Sequence, residues 1–353
     1  MSSEPAPPQA ASRPDVPRLA GREIEDLVRL ALREDLGVRR DPAFDGPWGA
    51  AEVAALLERD LATASAIEPG TRAVGVLTAK GRGVLAGLEV YAATFRALDP
   101  AAETVLEKTD GERVLRGDLV ARTVCSARAL LTGERTALNL LQRASGIATL
   151  TRRFVDAAVK GVKAGRTAPG VFDTRKTAPG LRVLDKHAVV AGGGSNHRYG
   201  LYDEAMLKDN HLDLSGVDAS DEAARAEFVA RVRQALPANV RLHVEARSEG
   251  EARGALRGGA DVVLLDNFAP ADLALAVRHL RAFAKDLERA PDALPIEFEA
   301  SGGIDMETIA EFAGTGVDRI SVGALTHSVR ALDLSLGIEL ESLSTEPRTQ
   351  DDA

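Results

Sequence analysis

From residue 23 to 36 the apolar positions Ile24, Leu27, Val28, Leu30 and Ala31 recur at helical spacing and predict an opening helix. A Pro- and Gly-rich stretch carrying Trp48, the only tryptophan, reads as a loop, and 51–57 as a short helix. Strand-like runs follow at 73–79, 83–86 and 118–125, with a helix at 89–98 between them. Residues 132–151 form one long helical stretch that 152–159 continue. A new rhythm then begins. Apolar strands are expected at 171–175, 205–209, 242–246, 262–266, 296–300 and 320–323, and helices at 222–236, 249–256, 270–287 and 306–313. Strands alternating with helices predict parallel β-structure with crossover helices. Polar residues close these strands: Arg175 and Lys176, Lys208 and Asp209, Glu245, Asp266, and Glu299 to Ser301. Strand C-terminal ends are where an α/β barrel places its chemistry, although an open doubly wound sheet fits the same rhythm.

Composition narrows the class. The chain has 353 residues, is 45% hydrophobic and 27% charged, and carries a formal net charge of −9. Such a chain can bury a sizeable core, and its acidity weighs against a nucleic-acid partner. The single cysteine, Cys125, permits no intrachain disulfide and fits a reducing cytosol, so a cytoplasmic location is expected. The Ser/Pro/Ala-rich start has no apolar signal core, and no run of about eighteen apolar residues suggests a membrane span. Residues 1–20 and 344–353 read as disordered tails.

Several motifs offer cations to an anion. In Asp173-Thr174-Arg175-Lys176-Thr177, Arg gives a planar fork suited to carboxylate and Lys a point charge suited to phosphate, although adjacent cations are more often a solvated pair. Gly192-Gly193-Gly194-Ser195-Asn196-His197-Arg198 adds two donors behind glycines that let the backbone approach a ligand or another chain; the bland reading is a flexible loop. The spacing of His187, His197 and His211 matches no zinc pattern. Lys208, near a strand end, needs an acidic partner or an anionic ligand. Glu245 and Asp266 suit Mg²⁺ beside phosphate oxygens, or simply neighbouring lysines and arginines. Ser301-Gly302-Gly303 and Gly323 follow the last two strands, where barrels often seat phosphate. A strongly cationic pocket in an acidic protein points to a polyanionic ligand.

Gly133-Glu134-Arg135-Thr136-Ala137-Leu138-Asn139, Asp173 through Arg182, Gly192 through Gly200, Leu207-Lys208-Asp209-Asn210-His211, Val244-Glu245-Ala246-Arg247, Leu264-Leu265-Asp266-Asn267, Glu299 through Ile304, and Ser321 through Ser328 together resemble the quinolinate phosphoribosyltransferase family. The resemblance runs from about residue 23 to about 340. It implies an N-terminal α/β sandwich (21–139, joined by 325–343) and an incomplete parallel α/β barrel (140–324). It also implies a pentosyltransferase that makes nicotinate mononucleotide, CO₂ and diphosphate from quinolinate and 5-phosphoribosyl 1-diphosphate, in NAD biosynthesis. By position, Arg175, His197, Arg198 and Lys208 resemble the quinolinate-binding residues. Arg135 resembles the arginine a second copy contributes, in a homodimer or a hexamer of such dimers. Lys176, Lys208, Glu245, Asp266, Ser301, Gly302, Gly303 and Gly323 resemble the donor site, with Lys176, Glu245 and Asp266 catalytic and the two acids holding Mg²⁺ partly through water. Two departures stand out. Residues 38–59 separate Glu34-Asp35-Leu36-Gly37 from Asp60-Leu61-Ala62-Thr63 and read as an inserted surface excursion, and His187 stands where the family usually has an aromatic residue.

Two alternatives stay open. A transferase acting on nicotinate needs fewer cations, and a non-catalytic phosphate-binding barrel needs no paired acids beside its lysines.

Overall fold

The computed structural model describes residue 19 and residues 21–218, 220–287 and 294–341. Of the expected tails, residues 1–18, residue 20 and residues 344–353 lie outside these. Twelve strands occur among the described residues: β1 (Arg72–Ala79), β2 (Gly83–Val84), β3 (Glu103–Leu106), β4 (Arg113–Val114), β5 (Leu119–Ser126), β6 (Gly170–Phe172), β7 (Ala205–Leu207), β8 (Leu242–Ala246), β9 (Val262–Asp266), β10 (Glu297–Ser301), β11 (Arg319–Ser321) and β12 (Leu334–Leu340). Internal contacts divide the chain into two units, with boundaries after Gly146 and after Arg330.

The first unit contains an antiparallel sheet in the order β12-β1-β5-β3 and the small β2-β4 pair. β1 alternates buried and half-exposed positions, as a strand with one covered face should. Gly75 at its middle leaves little room, because a Cβ there would meet Leu130 at 2.9 Å and Leu336 at 3.1 Å and force the leucines to shift. Asp60-Leu61-Ala62-Thr63 is a helix start: the Asp60 carboxylate accepts the Thr63 N–H at 3.1 Å and caps Leu61–Ala66. Residues 38–59 are more than a surface excursion, since Val38, Phe44 and Leu56 bury a small core of their own, with Leu36 and Trp48 packed against it.

The second unit is built on six parallel strands in the order β6-β11-β10-β9-β8-β7. β6 and β7 do not pair, so the barrel is incomplete. The central strands β8, β9 and β10 are buried along nearly their whole length, because helices cover them from outside and side chains fill the interior. No helix among the described residues is long and apolar enough to cross a membrane.

Candidate active site

Six expected residues meet at one end of the parallel sheet. Arg175, Lys176, His197, Arg198, Lys208 and Ser301 line a cavity of about 250 Å³, together with Thr174, Met206, Leu264, Glu299 and Ser321. Arg175, Lys176 and Lys208 lie just beyond β6 and β7, which end earlier than the sequence suggested. Gly323 is tied to the same place, since a Cβ there would sit 3.0 Å from Lys176 Cδ. The Thr326 hydroxyl donates to the Lys176 carbonyl at 2.9 Å. Gly302 and Gly303 both take left-handed backbones beside Asn267, the only non-glycine residue with positive φ (59°) among the described residues. A Cβ on Gly302 would reach Asn267 Oδ1, so the loops after β9 and β10 interlock.

The glycine run serves packing. A Cβ on Gly192 would fall 2.5 Å from the Ala148 carbonyl, and one on Gly194 would strike Thr151 and Val189. The segment thereby lies along β6: Ser195 donates to the Val171 carbonyl (2.8 Å), and Asp173 donates to the Ser195 carbonyl (3.1 Å).

Lys208 finds its acid, with Nζ 3.4 Å from Glu245 Oε2. Burial raises the Glu245 carboxyl above its ordinary range while Lys208 opposes the rise and Asp266 adds to it. Burial also raises Asp266, against Lys208 and a Ser301 hydrogen bond. The buried Arg225 donates to the Glu245 carbonyl and so fixes the end of β8.

Beneath the cations lies a buried acidic group whose burial and partners the sequence did not reveal, although it put Glu299 at a strand end. Glu299 is fully buried, with Arg319 Nε at 3.2 Å and His197 Nε2 at 3.5 Å. Neither approach has hydrogen-bond alignment, so the attraction is that of charge and dipole. Burial alone would raise the Glu299 carboxyl, but His197, Arg319 and His243 hold it at about 2. His243 in turn sits 2.9 Å from Glu204. The ring atoms of His197 and His243 and a Glu299 oxygen lie within 4.8 Å of one another, a metal-like set by residue type. The His197 ring speaks against that use. Its Nδ1 accepts the Arg198 N–H at 2.7 Å, which leaves the ring proton on Nε2, the nitrogen 3.5 Å from Glu299.

Asp173 and Lys186 form a second buried group, with Nζ 2.5 Å from Oδ1. Burial pushes the Asp173 carboxyl up to about 6 against the pull of Lys186. Arg135 lies in the other unit, exposed on the helix Ala127–Gly161, and pairs with no acid among the described residues.

Comparison with known proteins agrees with this architecture. Family models for the quinolinate phosphoribosyl transferase C-terminal and N-terminal domains match residues 147–337 and 60–145. A nicotinate-nucleotide pyrophosphorylase (carboxylating) of Mycobacterium leprae is 41% identical over 318 residues, covering 89% of this chain and 96% of that protein. A chloroplastic protein of the same description from Oryza sativa subsp. japonica is 35% identical over 330 residues, 90% of this chain and 78% of that one. The crystal structure of NadC from Streptococcus pyogenes superposes with a TM-score of 0.75 at 35% identity, covering 92% of this chain and all of that one.

Proposed function

Because this chain belongs to the quinolinate phosphoribosyl transferase family, we propose that it joins quinolinate to 5-phosphoribosyl 1-diphosphate, yielding nicotinate mononucleotide, CO₂ and diphosphate in NAD biosynthesis. The observation that carries the site assignment is the cavity itself. Arg175, Lys176, Arg198 and Lys208 converge on one small space in a chain of net charge −9. Such a space suits a dicarboxylate beside phosphates.

Arg175, His197, Arg198 and Lys208 hold the two carboxylates of quinolinate and aim its ring nitrogen at the ribose. Lys176 and Lys208 neutralise the donor, and Ser301, Gly302, Gly303 and Gly323 cradle its 5-phosphate through backbone N–H groups. Glu245 and Asp266 hold the ribose hydroxyls and stabilise the oxocarbenium-like centre as the diphosphate departs. The nitrogen attacks from the opposite face. The resulting pyridinium withdraws electrons, so the 2-carboxylate leaves as CO₂ and its electron pair stays on the ring carbon until a proton arrives. Two partly buried acids that both feel the charge of Lys208 fit Mg²⁺, which Glu245 and Asp266 would hold partly through water. When bound, the ion supplies charge neutralisation to the leaving diphosphate.

A second copy completes the site with its own Arg135. Leu201, Tyr202 and Leu214, in the segments that follow Arg198 and Lys208, are 73%, 83% and 91% exposed, large apolar side chains that a partner chain would cover. We assign the reaction to the cytoplasm, a reading that the buried free thiol at Cys125 supports. The test mixes the protein with quinolinate, the donor and Mg²⁺. CO₂ and diphosphate should appear in equal amounts, and failure to produce either refutes the reading.

A further inference from the structure

We propose that the buried Asp173–Lys186 pair is the positioning device of the acceptor pocket, fixing the His197–Arg198 backbone and thereby setting the affinity for quinolinate. This rests on the reading of His197 and Arg198 as quinolinate contacts. Neither member of the pair lines the cavity.

Both side chains are wholly removed from solvent. A buried ion pair is a poor way to stabilise a fold, because apolar residues of similar volume often do as well or better. Its use here is visible in where its remaining hydrogen bonds go. Asp173 Oδ1 accepts the His197 N–H at 2.9 Å, and Lys186 Nζ donates to the His197 carbonyl at 2.8 Å. The pair thus grips both sides of one residue. The Asn196 amide, oriented as its neighbours require, donates to Asp173 Oδ2 at 2.6 Å and to the Lys186 carbonyl at 3.0 Å. Lys186 Nζ also lies 5.1 Å from the centre of the Tyr199 ring. All these contacts fall on the four residues from Asn196 to Tyr199, which belong to no helix or strand.

The grip has a purpose that the neighbouring charges explain. Burial and the nearby Arg175 guanidinium both work against the charge on Arg198, outweighing the support of Asp203 and Glu204, and one Arg198 N–H is held by the Glu204 carbonyl at 3.2 Å. Arg175 Nε is itself buried without a hydrogen-bond partner. Two guanidinium groups that line one small cavity repel unless an anion lies between them. A free loop would swing Arg198 outward into water. A loop clamped at His197 keeps the site in its binding geometry before the substrate arrives.

The experiment compares Asp173→Asn/Lys186→Met, Asn196→Ala and Arg198→Ala with the unaltered protein, measuring KM for each substrate and the melting temperature. The double variant removes both charges, so no lone buried charge remains. Its quinolinate KM should rise about 10- to 100-fold while the donor KM moves less than about threefold. Asn196→Ala leaves the ion pair intact and removes one strut, so its quinolinate KM should rise about 3- to 10-fold. If the double variant does not fold, Asn196→Ala decides alone, and an unchanged KM there overturns the proposal. An unchanged quinolinate KM in a folded double variant overturns it too, as does an equal rise in both KM values with a falling melting temperature. The Arg198→Ala arm separates the two readings. If its quinolinate KM is unchanged, the pocket assignment fails and takes the positioning role with it. If that KM rises while the double variant stays normal, only the positioning role fails.

Discussion

Replacing Glu299 with Gln should destabilise the barrel unit by about 3 kcal/mol near neutral pH, a figure reached by two routes. A carboxyl held at about 2 in the fold, against an ordinary 4.5, gains about 3 kcal/mol from ionisation. Breaking a buried pair on one side costs about 3–5 kcal/mol, because the abandoned partner stays charged and dry. Arg319 would be that partner, with only 4% of its side chain exposed. It retains Glu297 at 3.2 Å and the face of Phe172 at 3.9 Å, which places the loss at the lower end. For a unit of this size each kcal/mol shifts the melting temperature by about 2–4 °C, so a fall of about 6–12 °C is expected. The pH dependence has a definite sign. The folded pKa lies below the unfolded one, so the stabilisation is complete above about 4.5 and is lost as the pH falls toward 2. Calorimetric scans of both proteins at a series of pH values test this. The gap should be full near neutrality and close steadily on acidification. A variant melting within about 2 °C of the parent at neutral pH, or a gap that ignores pH, would refute the account of Glu299 as a buried anion held by its neighbours.

Chelation with EDTA should abolish turnover and added Mg²⁺ should restore it; full activity in a metal-stripped sample would remove Glu245 and Asp266 from the metal role. Nicotinate should be a poor acceptor, since each lost charged hydrogen bond in the pocket costs about 1.5–3 kcal/mol, and comparable kcat/KM for nicotinate and quinolinate would point to a site built for one carboxylate. Arg135→Ala and Lys176→Ala, each nearly inactive alone, should recover activity when co-refolded, because a mixed dimer holds one site with both lesions and one with neither, up to about half of normal activity per mixed dimer. Demonstrated subunit exchange with no recovery would mean that the site is not shared.

The long buried strands were readable because burial on both faces leaves an unbroken apolar run. β8 and β9 carry the bounds that their hydrophobic residues suggest. β3, β4 and β12 were not readable: β3 is largely exposed, β12 buries only Leu334 and Leu336, and β4 has two residues. The helix Arg182–Ala191 escaped for the opposite reason. Asp185, Lys186 and His187 on it are buried, so polar residues occupy the inward positions that an amphipathic pattern reserves for apolar ones. The cations of the pocket were legible because each sits in a short motif at the end of an apolar run. The acids beneath were not, because their partners come from different strands: His243 from β8, Glu299 from β10 and Arg319 from β11. Spacing along the chain carries no information about contacts made across a sheet.

Those acids change what simple electrostatics would say about the pocket. Glu245 faces Lys208, Glu299 faces His197, and Asp173 holds the backbone of His197 beside Arg198. If only the sum of charge mattered, each carboxylate would weaken the binding of a polyanion and its removal would strengthen it. If the acids instead fix where the cations stand, removing one should weaken binding despite making the pocket more positive. The geometry favours the second outcome for Asp173, because its oxygens are occupied by Lys186, the His197 N–H and the Asn196 amide and none is left to repel a ligand. For Glu245 the two effects oppose each other directly, since its carboxylate holds Lys208 and still keeps 12% of its side chain exposed. An acidic protein can therefore bind polyanions without a basic surface, provided that buried carboxylates set the geometry of the cations rather than cancelling their charge.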